Sequence, residues 1–385
     1  MTKRIQEGAF FSMVASVILC TVVLSACSDT GADVQAQPAS EPIAERVVEG
    51  FDRPWGLAFL PDGRMLVTEQ GGQLKLVGED GAVTTLAGVP DVCDCGQGGL
   101  MDVELHPDYQ SNGWLYLTYS DIQTDESGDD VSFTALLRAK LSGDSLTSKE
   151  VIYQAPVEFY TSRGQHFGSR IEFDEAGYVY FSIGDRGARD QAQSLETPNG
   201  KIHRLHADGR VPDDNPFVEV PGAVPTIWSY GHRNPQGLDA RPGTGELWTL
   251  EHGPMGGDEL NIVEPGANYG WPTITYGTNY DGTPITSETE RDGMEQPVTY
   301  WVPSIAVSSV AMYDGEAFPG WQGDALVGSL RQMELQLVEL DGRSAREPVV
   351  LYRPQARIRD VVVSPEGYPY LLLETGVIER LVPAA

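Results

Sequence analysis

The chain has 385 residues with 43 Gly, 26 Pro and 16 Tyr, and its 26 Lys and Arg face 56 Asp and Glu, a formal charge of −30. That acid excess repels a phosphate backbone, which argues against nucleic acid as a partner; it serves solubility and leaves a small share for calcium ligands. Scarce helical periodicity and abundant Gly and Pro point to an all-β domain, and the lack of a Pro/Ser-rich linker after residue 45 leaves it undivided.

Residues 1–26 read as a targeting segment. Lys3 and Arg4 precede an apolar stretch over 9–24 of signal-peptide length, short for a spanning helix. Leu24-Ser25-Ala26-Cys27 resembles the bacterial lipoprotein box, which implies cleavage before Cys27 and a lipid anchor on it. The protein is then exported and held at the periplasm or cell envelope, touching membrane only through that anchor. Residues 27–45 are polar and suit a flexible tether; 46–385 are the folded domain. Cys20 leaves with the leader, so Cys93 and Cys95 remain. They form either a tiny disulfide-closed loop or two thiols.

Six segments then repeat one unit: an alternating apolar strand, a Gly-containing turn and a second strand. They cover 54–70, 99–120, 168–185, 235–254, 308–330 and 358–375. No unit can bury its own faces, so copies must pack side by side. The architecture that does so with short, protected edges is a β-propeller, here with six blades. Polar residues beside Gly and Pro recur just outside these strands: Gln97, His166, Arg233 and Asn234, and Arg357 with Arg359. In a propeller, the loop leading into an innermost strand lies at the mouth of the central channel. The shared phase gathers these residues there, and clustered arginines require an anionic partner.

Three other motifs carry no chemistry. Gly143-Asp144-Ser145-Leu146 sits in a polar turn. His203 and His206 fall three apart on a strand and face opposite sides. The acidic run 121–130 lacks the ligand order of a calcium hand and reads as a solvated loop.

The segments WSYGHRNPQG, EHGPMGGDELN and NYGWP between Trp228 and Pro272 resemble the soluble six-bladed glucose/sorbosone dehydrogenases, which use pyrroloquinoline quinone (PQQ) and calcium. The bacterial aldose sugar dehydrogenases look similar, and the resemblance spans nearly all of 46–385. It implies oxidation of aldose sugars at C1 to the lactone, with electrons passed to an external acceptor. It makes His166 the catalytic base and sets Arg233 and Asn234 on the quinone oxygens. It puts calcium on the carbonyls of Gly253 and Pro254, and PQQ carboxylates on Arg357 and Arg359. Gln97 and Asp185 would line the sugar site; Glu259 and Tyr269 would ligate a second, structural calcium. Arg331 stands where the family usually has a PQQ-binding lysine and is read as a cofactor contact. The long insertions of the glucose-specific branch are missing. The competing readings are a cofactor-less propeller that binds carbohydrate or protein, and a calcium-dependent lactonase, which would need a side-chain cage around the metal.

Overall fold

The computed structural model describes residues 42–384. Six four-stranded antiparallel sheets stand in a ring, joined by a further two-stranded ribbon. The innermost strands are Pro54–Phe59, Leu100–Leu105, Ile171–Phe173, Pro235–Ala240, Val307–Met312 and Ile358–Val363. We number the blades 1 to 6 in that order. Each of the six repeats read from the sequence is the inner hairpin of one blade, and the chain is nearly all β, as its composition predicts.

The blades hold together through side chains that alternate across each strand. Leu66 and Leu74 of blade 1 pack against Val103, Leu115 and Leu117 of blade 2. Comparable clusters fill the next junctions, as with Trp248 and Leu260 of blade 4 against Val307 and Val327 of blade 5. The last closes the circle, Leu372 and Ile378 of blade 6 against Leu57 and Val67 of blade 1. Truncating one such residue, Leu66→Ala for example, costs about 2–5 kcal/mol, because a close-packed junction only partly collapses into the gap.

Blade 6 takes its outermost strand from the other end of the chain. Pro42–Glu49 pairs antiparallel with Val377–Pro383, from Pro42 opposite Pro383 to Glu49 opposite Val377. Among the described residues the first strand thus already includes four residues before the boundary read at residue 46, because this pairing is non-local and leaves no local signal. Cys27 lies outside the described residues. The acidic run also differs from its sequence reading. Asp121–Thr124 belong to the long strand Trp114–Thr124, and Asp121 accepts hydrogen bonds from Gln123, Gln154 and Tyr160. His203 is buried between Thr226 and Pro198, as the strand reading requires.

Five of the six innermost strands carry a bulge near their first residues, at Trp55–Gly56, Met101–Asp102, Gln236, Ser308 and Arg359. A bulge leaves a residue unpaired and re-aims its side chain. Arg170, from blade 3, repairs three of them: its guanidinium donates to the carbonyls of Gln236 (2.7 Å), Arg359 (3.1 Å) and Ser308 (3.5 Å). It also pairs with Asp102 (3.1 Å) and Asp360 (2.9 Å) and lies 4.4 Å over the Trp55 ring. One buried cation thus fastens the inner strands together at the axis.

Candidate active site

Arg170 stands between two axial cavities. The one toward the strand starts has a volume of about 370 Å³, within the range of small-molecule sites, and its wall includes Gln97, His166, Arg233, Asn234, Arg357 and Arg359. The shared loop phase thus converges as the sequence predicts. Trp55, Gln70, His252 and Tyr280 complete much of the wall, the last 71% exposed at the rim. The other cavity, about 420 Å³, is lined by acids, among them Glu104, Glu172, Asp239 and Asp314.

His166 is held from four directions. Its backbone has φ +57°, a left-handed conformation uncommon outside Gly. Its N–H donates to Gln97 Oε1 at 2.7 Å. Behind it, a Cβ on Gly184 would lie 2.3 Å from the His166 carbonyl oxygen, so only Gly fits there. The Arg186 guanidinium stacks 3.4 Å over Phe167 and donates to the carbonyls of Arg163 and Gln165, fixing the loop. Finally, the imidazole Nδ1 lies 2.6 Å from Asp185 Oδ1.

Asp185 is fully buried and is not on the cavity wall. This corrects its placement in a sugar site. Its carboxylate accepts from Gly187 N–H at 2.7 Å and from Trp271 Nε1 at 2.8 Å, so it has turned inward to support the histidine. Burial alone would raise its pKa, but the hydrogen bond and charge of His166 and the Gly187 N–H hold it below the ordinary carboxylate value. An ionised Asp185 accepts a hydrogen bond from Nδ1–H, which keeps the proton on Nδ1 and leaves Nε2 as a lone-pair acceptor. Burial pulls the His166 pKa down; Asp185 opposes that shift and Arg233 adds to it. The imidazole is therefore neutral near pH 7, the state a base requires.

Arg233 and Asn234 precede the blade 4 inner strand. Glu251 Oε2 accepts the Arg233 N–H at 2.8 Å, and the guanidinium donates to the carbonyls of His252 and Gly253, both at 3.0 Å. Asn234 accepts the Gly168 N–H through Oδ1 at 3.1 Å. Gly253 lies in a cradle closed to any side chain, since a Cβ would meet Gly256 O at 2.1 Å. Its N–H donates to Asp258. Pro254 follows it, with its ring against Gly277. Glu259 and Tyr269 share a small cavity with Gly253 and Glu251. Burial first, then the Glu251 charge, pushes the Glu259 pKa up to about 8, a carboxyl that a cation would stabilise. The Tyr269 hydroxyl is already spent on Ile262 O and Glu264 N–H. Among the described residues no three His, Cys, Asp or Glu side chains gather as a cation cage. A calcium ion here would rest largely on main-chain carbonyls, which suit that hard cation.

Arg331 is not brought into the site. Its neighbour Leu330 reaches the wall, but Arg331 is exposed, with its N–H on Ile305 O at 3.0 Å. It follows the strand Ala325–Ser329 and is not among the residues that line the cavity, which a one-letter match to a lysine position does not reveal. Cys93 and Cys95 are joined as a local disulfide just before Gln97. The residues missed in the sequence are Arg186, Trp271 and Glu374, none of which lines this cavity; Asp185-Arg186-Gly187 following a strand end and the NYGWP segment that holds Trp271 gave the only signals.

The chain is similar to known proteins over most of its length. The family model described as Glucose / Sorbosone dehydrogenase matches residues 51–380. The chain is 41% identical over 355 residues to aldose sugar dehydrogenase YliI of Escherichia coli, covering 90% of this chain and 93% of that one. It superposes on the apo-form crystal structure of the soluble E. coli aldose sugar dehydrogenase with a TM-score of 0.83 at 39% identity, over 89% of this chain and 99% of the other. It also matches the PQQ-bound aldose sugar dehydrogenase of Streptomyces coelicolor, with a TM-score of 0.72 at 28% identity, over 90% and 99%.

Proposed function

Since the chain belongs to the glucose/sorbosone dehydrogenase family, we propose that it is an aldose sugar dehydrogenase that uses PQQ and calcium to oxidise the sugar at C1 to the lactone. The observation that carries this reading is the buried His166–Asp185 pair opening onto an arginine-walled cavity. Arg357, Arg359 and Arg233 suit a planar tricarboxylate, and the Gly253 carbonyl with its neighbours suits calcium.

When bound, the quinone would accept the hydride from C1, with calcium and Arg233 favouring the charge that develops on it. The protein's share is the proton and the orientation. His166 Nε2 takes the proton of the anomeric hydroxyl, and Asp185 stabilises the imidazolium that forms. Gln97 holds the His166 main chain in its left-handed pose. Electrons leave to an external acceptor, and Cys27 anchors the exported protein by lipid.

The test adds PQQ and calcium to cofactor-free protein and measures dye reduction with a panel of aldoses. Sugar-dependent turnover that requires both additions supports the reading. Failure to bind PQQ, seen as no thermal shift at saturation, returns the protein to a carbohydrate- or protein-binding role.

A further inference from the structure

Arg357 and Arg359 place two guanidiniums on one wall of the cavity. Nothing in the sequence shows what balances them in the absence of a ligand. The structure does. Glu374 comes directly after the blade 6 strand Pro369–Leu373, and its N–H donates to the Arg357 carbonyl at 2.9 Å. Its carboxylate is divided between the two cations. Oε2 lies 2.5 Å from Arg357 Nε, while Oε1 accepts from Arg359 Nε at 3.1 Å and from one terminal nitrogen of the same side chain. The other terminal nitrogen of Arg359 donates to Gln236 Oε1 at 3.2 Å.

Burial differs along this trio. The Arg359 side chain is 15% exposed, that of Glu374 26% and that of Arg357 49%. The two arginines are on the wall and Glu374 is not. The carboxylate therefore meets the pair without itself lining the cavity. Burial and the nearby Arg170 and Arg357 charges disfavour the Arg359 cation, and Glu374 opposes this. Two half-buried cations with no counter-ion repel each other and lose hydration together.

Resting on the reading of this cavity as a site for a carboxylate-bearing cofactor, we propose that Glu374 is the resident counter-ion of the arginine pair. It keeps the empty site folded by cancelling one of two charges. By the same charge it limits how strongly the pair attracts a ligand carboxylate. It is a positioning residue that acts through Arg357 and Arg359. The consequence is a linkage. Removing the charge should harm the empty protein more than the loaded one, because the ligand restores the missing anion, and the difference emerges as tighter binding.

The experiment uses the cofactor-free protein with Glu374→Gln and Glu374→Asp. The two probes are PQQ with calcium, and benzene-1,3,5-tricarboxylate, a rigid tricarboxylate with no redox chemistry. Titration calorimetry gives Kd at low and high salt, and thermal melts give the stability of the empty protein. E374Q should melt lower when empty and bind both probes about 3- to 10-fold more tightly at low salt, the gain shrinking as salt screens the pair. E374D keeps the charge and should stay within about twofold of wild type in Kd. Unchanged or weaker binding by E374Q overturns the proposal and makes Glu374 a geometric prop. If E374Q does not fold, E374D decides, and a large loss of affinity there also overturns it. If wild type binds the benzene tricarboxylate but not PQQ, the cofactor reading falls, while the E374Q comparison still decides the role of Glu374. If wild type binds neither, both fall.

Discussion

Asp185→Asn removes one charge and one acceptor from the support of His166. The native carboxylate accepts three N–H groups, from His166 Nδ1 at 2.6 Å, Gly187 at 2.7 Å and Trp271 Nε1 at 2.8 Å, in a fully buried position. An amide has one oxygen and one NH₂, so it cannot satisfy all three. If the NH₂ faces Trp271, two donors oppose each other in the core, at a cost of about 1–3 kcal/mol. If it faces His166, Nδ1 must accept, the ring proton moves to Nε2, and the atom that should take the substrate proton is blocked. Either way the imidazolium loses a charged hydrogen bond of about 1.5–3 kcal/mol. Loss of a working general base lowers turnover by about 10²- to 10⁴-fold. The pH profile adds a sign. The base must be neutral, so activity rises with pH through the His166 pKa, which burial holds below its ordinary value against the opposing effect of Asp185. Without Asp185 that pKa falls further, and the rising limb moves toward acid while the plateau drops. Stopped-flow dye reduction across pH, with PQQ binding checked spectrally, measures both. Turnover within tenfold of wild type, or a limb moving toward alkali, would refute the assignment of Asp185.

Other parts of the molecule give three more expected outcomes. In the acidic axial cavity, burial and then the Asp102 charge push the Glu104 pKa up to about 8. The folded state therefore holds a proton that the unfolded chain has lost, and stability present below about pH 4 declines as pH climbs through about 8. Glu104→Gln should flatten the Tm–pH curve and raise Tm on the alkaline side; parallel curves would count against it. Gly253→Ala places a Cβ 2.1 Å from Gly256 O, so the loop must shift, and calcium titration should show weaker binding with the rest of the fold intact. Arg331→Ala and Arg331→Lys should behave alike and leave the Kd for PQQ within about twofold, because this exposed side chain lies off the wall; a clear loss in the Ala variant alone would restore it as a contact.

What could be read in advance was what is written locally. The inner hairpins announce themselves through alternation and Gly turns, and Gln97, His166, Arg233 and Arg357 through their common offset from those hairpins. The outer strands did not. Val83–Leu86 is mostly exposed and carries no strong apolar face, and Pro42–Glu49 gains its structure only from a partner at the far end of the chain. Within the site, side-chain direction was the missing variable. Asp185 and Arg331 both reach the cavity only in what the family resemblance implies. One turns into the core to meet His166 and Trp271, and the other turns to water. Glu374 is an acid at a strand end with no motif around it, and it meets both arginines only in the folded blade, beside the bulge at Arg359.

The pairing of Pro42–Glu49 with Val377–Pro383 also imposes a timetable. A ribosome or a translocase delivers the chain from one end, so the first strand of the ring emerges early and waits for a partner that arrives last. Until residues 377–383 appear, that strand has an unpaired edge, and the junction between blades 6 and 1 lacks Ile378. Long-range closure of this kind is slow and leaves strand edges open to wrong partners. A chain cut a few residues short would therefore lose more than its tail: with nothing to receive the waiting strand, the circle would stay open between its first and last blades.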